Sequence, residues 1–182
     1  ITALENNGNR LLIFKNKSLY RWVFGAVEPD RLIGVGTSSQ ESVKTNFDVG
    51  ITFFANSQGI YAYSGARPKL LSRSIQPIID AVSNWEETYA WVDRDHYYVA
   101  VGDIEYTDTF GETTTGGQAR TISNCVLAYN IPLDAWTIHG YLNPVRFPAY
   151  LYHNTLDVYF GSNTGRTYKR VVNIGDDDTP IA

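Results

Sequence analysis

The sequence predicts an all-β fold with a single short helix, and three observations predict it. Short runs rich in Ile, Val, Thr, Phe, Tyr and Trp alternate with Asn, Asp, Ser and Gly clusters along most of the chain, which is the punctuation of strands and turns. Aromatic residues make up 14% of the 182 positions, 13 of them tyrosine, enough bulky side chains to fill the space between pleated surfaces. Only one stretch, Leu70 to Ser83, carries apolar residues at a helical spacing.

Taken in order, Asn6-Asn7-Gly8-Asn9 is a turn signal, and Arg10 to Lys15 with Leu19 to Phe24 form a hairpin across Asn16-Lys17-Ser18. Arg31 to Gly36 is a short strand, Thr37 to Ser42 a polar linker, and Val43 to Asp48 an edge strand. Ile51 to Leu71 is the clearest hairpin: an apolar run, a turn at Asn56-Ser57-Gln58-Gly59, then Tyr61 and Tyr63 two apart on one face. The helix is expected over 74–83. Ser74 would cap it, Pro77 sits in the first turn where its missing N–H is harmless, and Ile75, Ile78, Ile79 and Val82 share a face that ends near Asn84-Trp85. Tyr89 to Val92 and His96 to Val101 pair across Asp93-Arg94-Asp95. Asn124 to Asn130 and Ala135 to Tyr141 flank Ile131-Pro132-Leu133-Asp134; Pro144 and Pro148 bracket a linker; and Tyr150 to His153 pairs with Leu156 to Gly161 before a last run, Arg166 to Val172. The tail around Asp176, Asp177 and Asp178 is a solvated end or the start of a linker.

Between two of these hairpins, Asp103 to Ser123 is polar and rich in Thr and Gly, the composition of an extended interacting loop. It is the candidate protein-contact loop, with Thr107, Thr109, Thr113, Thr114, Thr115 and Arg120 as its contact residues.

The hairpins repeat. Phe54-Ala55-Asn56-Ser57-Gln58-Gly59 and Phe160-Gly161-Ser162-Asn163-Thr164-Gly165 match in register, each followed by an extended run carrying tyrosine. Successive hairpins begin roughly 36 to 40 residues apart over most of the chain, close to the repeat of about 40 to 50 residues that marks propeller blades. A lone hairpin cannot bury its apolar face, and stacking small sheets around an axis does so while leaving only short edges. The expected architecture is a β-propeller-like array of blades, partial at this length, in one β-rich domain spanning 1–182; a β-sandwich is the alternative that short strands and frequent turns also fit. The chain opens on Ile1 and contains no methionine, which reads as a fragment or processed part of a larger propeller.

Composition narrows the function. The net charge is −4 and no Lys/Arg block stands out, so a surface built mainly to neutralise phosphates is disfavoured. No apolar run is long enough to span a bilayer as a helix. Cys125, the single cysteine, excludes an intramolecular disulfide framework and a multi-thiolate zinc site, and its strand-like surroundings suit a buried inert thiol. His96, His139 and His153 lie in separate hairpins without metal-ligand spacing; Asp93 and Asp95 suit a turn, and Glu86 and Glu87 a solvated helix exit. Gly111 to Gly117 lacks the lysine and hydroxyl of a phosphate-binding loop, and Asp176 to Asp178 lacks the alternation of a calcium loop. No catalytic, cofactor or metal site is expected, and the chain is not expected to be an enzyme. Trp22, Trp85, Trp91 and Trp136 could instead line a sugar-binding surface, and a carbohydrate-binding or carbohydrate-cleaving propeller for host recognition is the alternative function.

The order LLIFKNKSLYRW, GITFFANSQGIYAYSGARPKLLSRSIQPII, YNIPLDAWTIHGYL and LDVYFGSNTGRTYKR resembles the propeller-like tail hub or nozzle and head–tail connector proteins of tailed bacteriophages. The resemblance covers most of residues 9 to 172. It implies a non-enzymatic virion component, a homo-oligomeric ring around the genome exit channel, neighbours among other tail or connector proteins, and contact with passing DNA without sequence preference. It also implies a location in the phage tail, with the host cytoplasm as the place of assembly and no membrane partner.

Overall fold

The computed structural model describes residues 1–108, 118–141, 145–153, 155–161, 165–169 and 179–180. Their strands form four antiparallel sheets of four, each a simple meander in chain order. Sheet 1 holds β1 (Ala3–Asn7), β2 (Arg10–Lys15), β3 (Ser18–Val23) and β4 (Asp30–Ile33). Sheet 2 holds β5 (Lys44–Asn46), β6 (Ile51–Asn56), β7 (Gly59–Tyr63) and β8 (Lys69–Leu70). After the helix α1 (Gln76–Ala81), sheet 3 holds β9 (Tyr89–Val92), β10 (His96–Asp108), β11 (Gln118–Asn130) and β12 (Ala135–His139). Sheet 4 holds β13 (Arg146–His153), β14 (Thr155–Gly161), β15 (Thr167–Lys169) and β16 (Thr179–Pro180). The fold is all-β, and four sheets rule out a two-sheet sandwich.

The sheets stack face to face, and the period-2 alternation of each strand decides which neighbour a side chain meets. From sheet 2, Phe54, Tyr61 and Tyr63 point at Leu12, Phe14 and Leu19 of sheet 1. The opposite face offers Phe53, Ala55 and Ile60 to Tyr97, Val99, Leu127 and Tyr129 of sheet 3. Sheet 3 in turn presents Trp91, Tyr98 and Ala100 to Phe160 and Tyr168 of sheet 4. Sheets 2 and 3 are thus buried on both faces. Each such side chain contributes about 1.5–3 kcal/mol of transfer free energy, so these interfaces hold the molecule together. Ring geometry adds to it: Phe14 meets Phe54 edge-on at 5.1 Å, and Phe53 stacks on Tyr97 at 4.9 Å.

The repeated motif behaves as a repeat. Phe54 and Phe160 are both fully buried, each on the face toward the preceding sheet, and each stacks on the tyrosine of the following strand, Tyr61 at 5.2 Å and Tyr168 at 6.2 Å. The first strands of successive sheets also run side by side, β1 by β5, β5 by β9 and β9 by β13. No comparable approach of β13 to β1 exists among the described residues, and closure of the series is not seen. Polar side chains stitch the first strands: Thr45 Oγ1 donates to the Asn6 carbonyl at 3.2 Å, and Asn46 Nδ2 donates to the Asp93 carbonyl at 3.0 Å.

Four local expectations need correction. The helix begins at Gln76 rather than Ser74, preceded by a 3-10 turn over Ser72–Ile75, and Ser74 caps nothing. Pro77 has no N–H to return to Arg73, so the turn before it closes with shorter bonds. The helix also stops at Ala81, and Trp85–Glu87 is a separate 3-10 turn capped by Asn84. Its apolar face is as expected: Ile75, Ile78, Ile79 and Val82 are buried between sheets 2 and 3. Pro148 lies inside β13 instead of bounding a linker, where the register slips between Arg146 and Ala149. An edge strand with a bulge tolerates a residue that cannot donate. Thr37 to Ser42 is a linker, but Thr37, Ser39 and Ser42 are buried.

Candidate interaction site

The segment 103–123 is not a loop throughout. Asp103 to Asp108 continue β10 and Gln118 to Ser123 begin β11, each strand running 13 residues. β9 pairs only with Tyr97–Ala100, and β12 only with Val126–Asn130. Beyond them, among the described residues, β10 and β11 pair only with each other, Ile104 with Ile122, Tyr106 with Arg120 and Thr107 with Ala119. The result is a two-stranded ribbon standing out from sheet 3. Threonine is β-branched and suits a strand as well as a loop, and Ile104 and Tyr106 alternate with Glu105 and Thr107, a period-2 sign of a strand inside the Thr- and Gly-rich composition.

The base of the ribbon is built to turn. Two register shifts fall on either side of Gly102, whose φ is +78°, while across the ribbon Asn124 has φ +46°. Such bulges add twist and re-aim the strands. Asp103 Oδ1 accepts the Asn124 N–H at 2.8 Å, and Asn124 Nδ2 donates to the Tyr141 carbonyl at 2.9 Å, so the unusual backbone is held from both sides. Ile104 is 1% exposed and plugs into the core beside α1, with Tyr106 and Ile122 leaning on the same cluster. One face of the ribbon is therefore anchored, and Glu105, Thr107, Ala119 and Thr121 on the other face are exposed.

Of the six residues expected to make contacts, Thr107 and Arg120 are both exposed but lie on opposite faces of the ribbon. Thr109, Thr113, Thr114 and Thr115 lie outside the described residues, as do Asp176 to Asp178.

At the base of the ribbon, between sheets 3 and 4, is a groove of about 370 Å³. The Arg146 guanidinium lies 3.3 Å from Glu87 and 5.8 Å from the centre of the Tyr89 ring, closing one wall. Gly102, Asp103 and Asn124 form another, and Cys125 lines the groove. Burial pushes the Cys125 thiol up to about 12, so it stays protonated and non-nucleophilic at neutral pH. A second groove of about 560 Å³ lies among the hairpin tips at Asn16-Lys17 and Asn56–Gln58, beside Asn84 and Trp85. Two of its amides are already committed: Asn56 Oδ1 accepts the Gln58 N–H at 2.8 Å, and Asn84 Oδ1 accepts the Glu86 N–H at 3.0 Å.

Asp93 and the described histidines His96 and His139 are occupied locally. Asp93 Oδ1 accepts the N–H groups of Asp95 at 3.0 Å and His96 at 2.7 Å, a turn role. His96 Nε2 meets Asn130 at 2.9 Å, His139 Nε2 meets Thr137 at 3.1 Å, and the His153 side chain is outside the described set. Among the described residues no three His, Cys, Asp or Glu side chains gather as metal ligands, and no helix is long and apolar enough to cross a membrane. Trp85 and Trp91 are buried, while Trp22 and Trp136 are half-buried on different sheets.

Sequence reasoning missed the polar stitches between sheets. The Gln40 amide binds both the N–H and the carbonyl of Leu4, at 2.9 and 3.2 Å, and so pairs the open edge of β1 as a strand would. Nothing in the local pattern around Gln40 announces a partner 36 residues away. No protein-family model matches the chain, and no curated protein matches it.

Proposed function

We propose that the four sheets are blades of a β-propeller and that the protein is a non-catalytic structural component of a phage tail, of the hub, nozzle or head–tail connector kind its sequence resembles. The observation that carries the reading is the side-by-side run of first strands, β1 to β5 to β9 to β13, with sheets 2 and 3 buried on both faces. Small sheets stacked about a common axis by their first strands give a stiff wall, and their turns and edges remain free to touch neighbours. In this role the chain forms part of a ring around the genome exit channel, held in a homo-oligomer and against other tail or connector proteins. It meets passing DNA without reading its sequence, and it resides in the virion after assembly in the host cytoplasm. The ribbon of β10 and β11 is the contact arm, because it is anchored by Ile104 on one face and offers polar, hydrogen-bonding side chains on the other.

The carbohydrate-directed alternative draws on the tryptophans, and the burial of Trp85 and Trp91 removes half of that platform. Gradient-purified tailed particles probed with an antibody to this chain test the reading. The expected result is a band at fixed stoichiometry in the particles. A chain abundant in the lysate but absent from particles would overturn it, and specific retention on a glycan array would favour the alternative.

A further inference from the structure

The ribbon of β10 and β11 joins the rest of the molecule at a single level. Where β9 and β12 flank them, both strands are paired on two sides; past Gly102 and Asn124, among the described residues, each is paired on one side. Of the ribbon side chains described, only Ile104 is buried. Exposed backbone bonds and little apolar burial mark a unit that opens at lower cost than the sheet it grows from.

The junction has the parts of a hinge. Gly102 pairs with Cys125, and the register shifts on either side of Gly102 cut this level out of the regular ladder. Its φ is +78° with nothing within 4 Å of where a Cβ would stand, and Asn124, at φ +46°, is bonded across to Asp103. The groove of about 370 Å³ opens beside these residues and leaves the backbone room to turn.

One residue of the body holds the hinge shut. Tyr141 is buried and meets Phe160 of sheet 4 edge-on at 6.0 Å, which fixes its place. Its N–H donates to the Ser123 carbonyl at 3.2 Å, and its carbonyl accepts from Asn124 Nδ2 at 2.9 Å, a two-bond clasp on the root of the ribbon. A Cβ on Gly140 would stand 3.3 Å from Ile122 Cγ2, so the clasping segment lies close against the ribbon. Ile104, seated in the core cluster that also holds Cys125, supplies the apolar part of the closure.

We propose that the ribbon is a hinged arm. It swings as a unit about Gly102 and Asn124 when the Tyr141 clasp and the Ile104 seat let go, while the body of sheet 3 stays folded. The hinge stands on this geometry; that the swing lets the arm reach a neighbour rests on the reading of the ribbon as the contact arm.

Cys125 is a native probe, being the single cysteine of the chain, fully buried at the hinge and uncovered when Ile104 lifts. Its labelling by an aromatic disulfide reagent at pH 8 is followed from zero urea upward. The wild-type rate is expected to stay flat at low urea, because a local opening exposes little surface, and to climb steeply only where global unfolding takes over. Asn124→Gly leaves the left-handed backbone accessible but removes the clasp donor, and is expected to raise the flat rate about tenfold. Val99→Ala, in the body of sheet 3, is expected to move the steep limb and leave the flat rate unchanged. A wild-type rate that rises at the full unfolding slope from zero urea overturns the inference, and needs no variant to fold. So does a flat rate that Val99→Ala raises or Asn124→Gly leaves alone. A chain found in virions whose Cys125 is labelled only on global unfolding would overturn the hinge and leave the tail reading intact. A flat rate raised by Asn124→Gly in a chain absent from virions would do the reverse.

Discussion

Two polar segments, Thr37 to Ser42 and Asp103 to Ser123, look alike as sequence and do opposite things. The first passes under the stack of sheets. Thr37 Oγ1 donates to the Ala55 carbonyl at 2.7 Å, Ser39 Oγ donates to the Thr88 carbonyl at 3.0 Å, and the Tyr97 hydroxyl donates to the Ser42 carbonyl at 2.8 Å. With these bonds, one short linker ties itself to β6, to the start of sheet 3 and to β10. The second segment leaves the stack as a ribbon on which the described threonines, Thr107 and Thr121, are exposed. The difference teaches that small polar residues mark wherever backbone must be satisfied without a ladder partner. That need arises at a buried crossing as much as at a surface arm.

The comparison breaks most sharply at two glycines. A Cβ on Gly36, beside the buried linker, would lie 1.7 Å from the Lys15 carbonyl oxygen, a backbone atom with no freedom to yield. Gly36→Ala is expected to cost about 3 kcal/mol or more, read as a fall in urea midpoint with an unchanged slope. Gly102, at the ribbon base, has open space around it and only its φ of +78° to oppose a side chain. Gly102→Ala is expected to cost about 1–2 kcal/mol. Equal costs for the two would refute the contrast.

Thr37→Val keeps shape but removes the donor to Ala55. It should lower stability by about 1–3 kcal/mol, with Tyr97→Phe costing about 1 kcal/mol by the same logic at Ser42. Additive behaviour in the double variant would argue against a shared clamp, because coupled neighbours depart from additivity. On the ribbon, Thr107→Val should change stability by less than about 0.5 kcal/mol, yet weaken capture of tail proteins in a pull-down.

Cys125 pairs with Gly102 where ribbon and sheet meet, and its reactivity reports on that junction. With the thiol held near 12, the folded protein at pH 8 should react with a thiol reagent far more slowly than the urea-unfolded chain. Because the folded thiol titrates above its unfolded value, folding grows weaker only as pH rises past the unfolded pKa. Fast labelling at pH 8 without global unfolding would mean that the ribbon base opens locally.

Much of the fold was legible in the residues themselves. Arg10–Lys15, Ile51–Asn56 and Tyr89–Val92 alternate or cluster β-formers between turn residues, and they are strands with those bounds or nearly so. The Phe54 and Phe160 motifs were legible as a repeat because the same burial demands the same residues at the same offsets. The ribbon was not read, because its Thr- and Gly-rich composition suits a solvated loop equally well, although Ile104 and Tyr106 alternate with Glu105 and Thr107 as in a half-buried strand. Within the candidate contact segment, the sequence could not show that Thr107 and Arg120 lie on opposite faces of the ribbon, because that depends on the register of β10 against β11.

By itself the sequence determined most of the strands and turns and the buried face of α1, because alternation, turn chemistry and helical spacing are local and act within a few residues. Only the tertiary structure decided which face of each sheet meets which neighbour, that Gln40 pairs the edge of β1, and that Thr37 to Ser42 is an internal clamp. Those outcomes depend on partners tens of residues away, chosen by the requirement that every buried apolar face and backbone group find a complement.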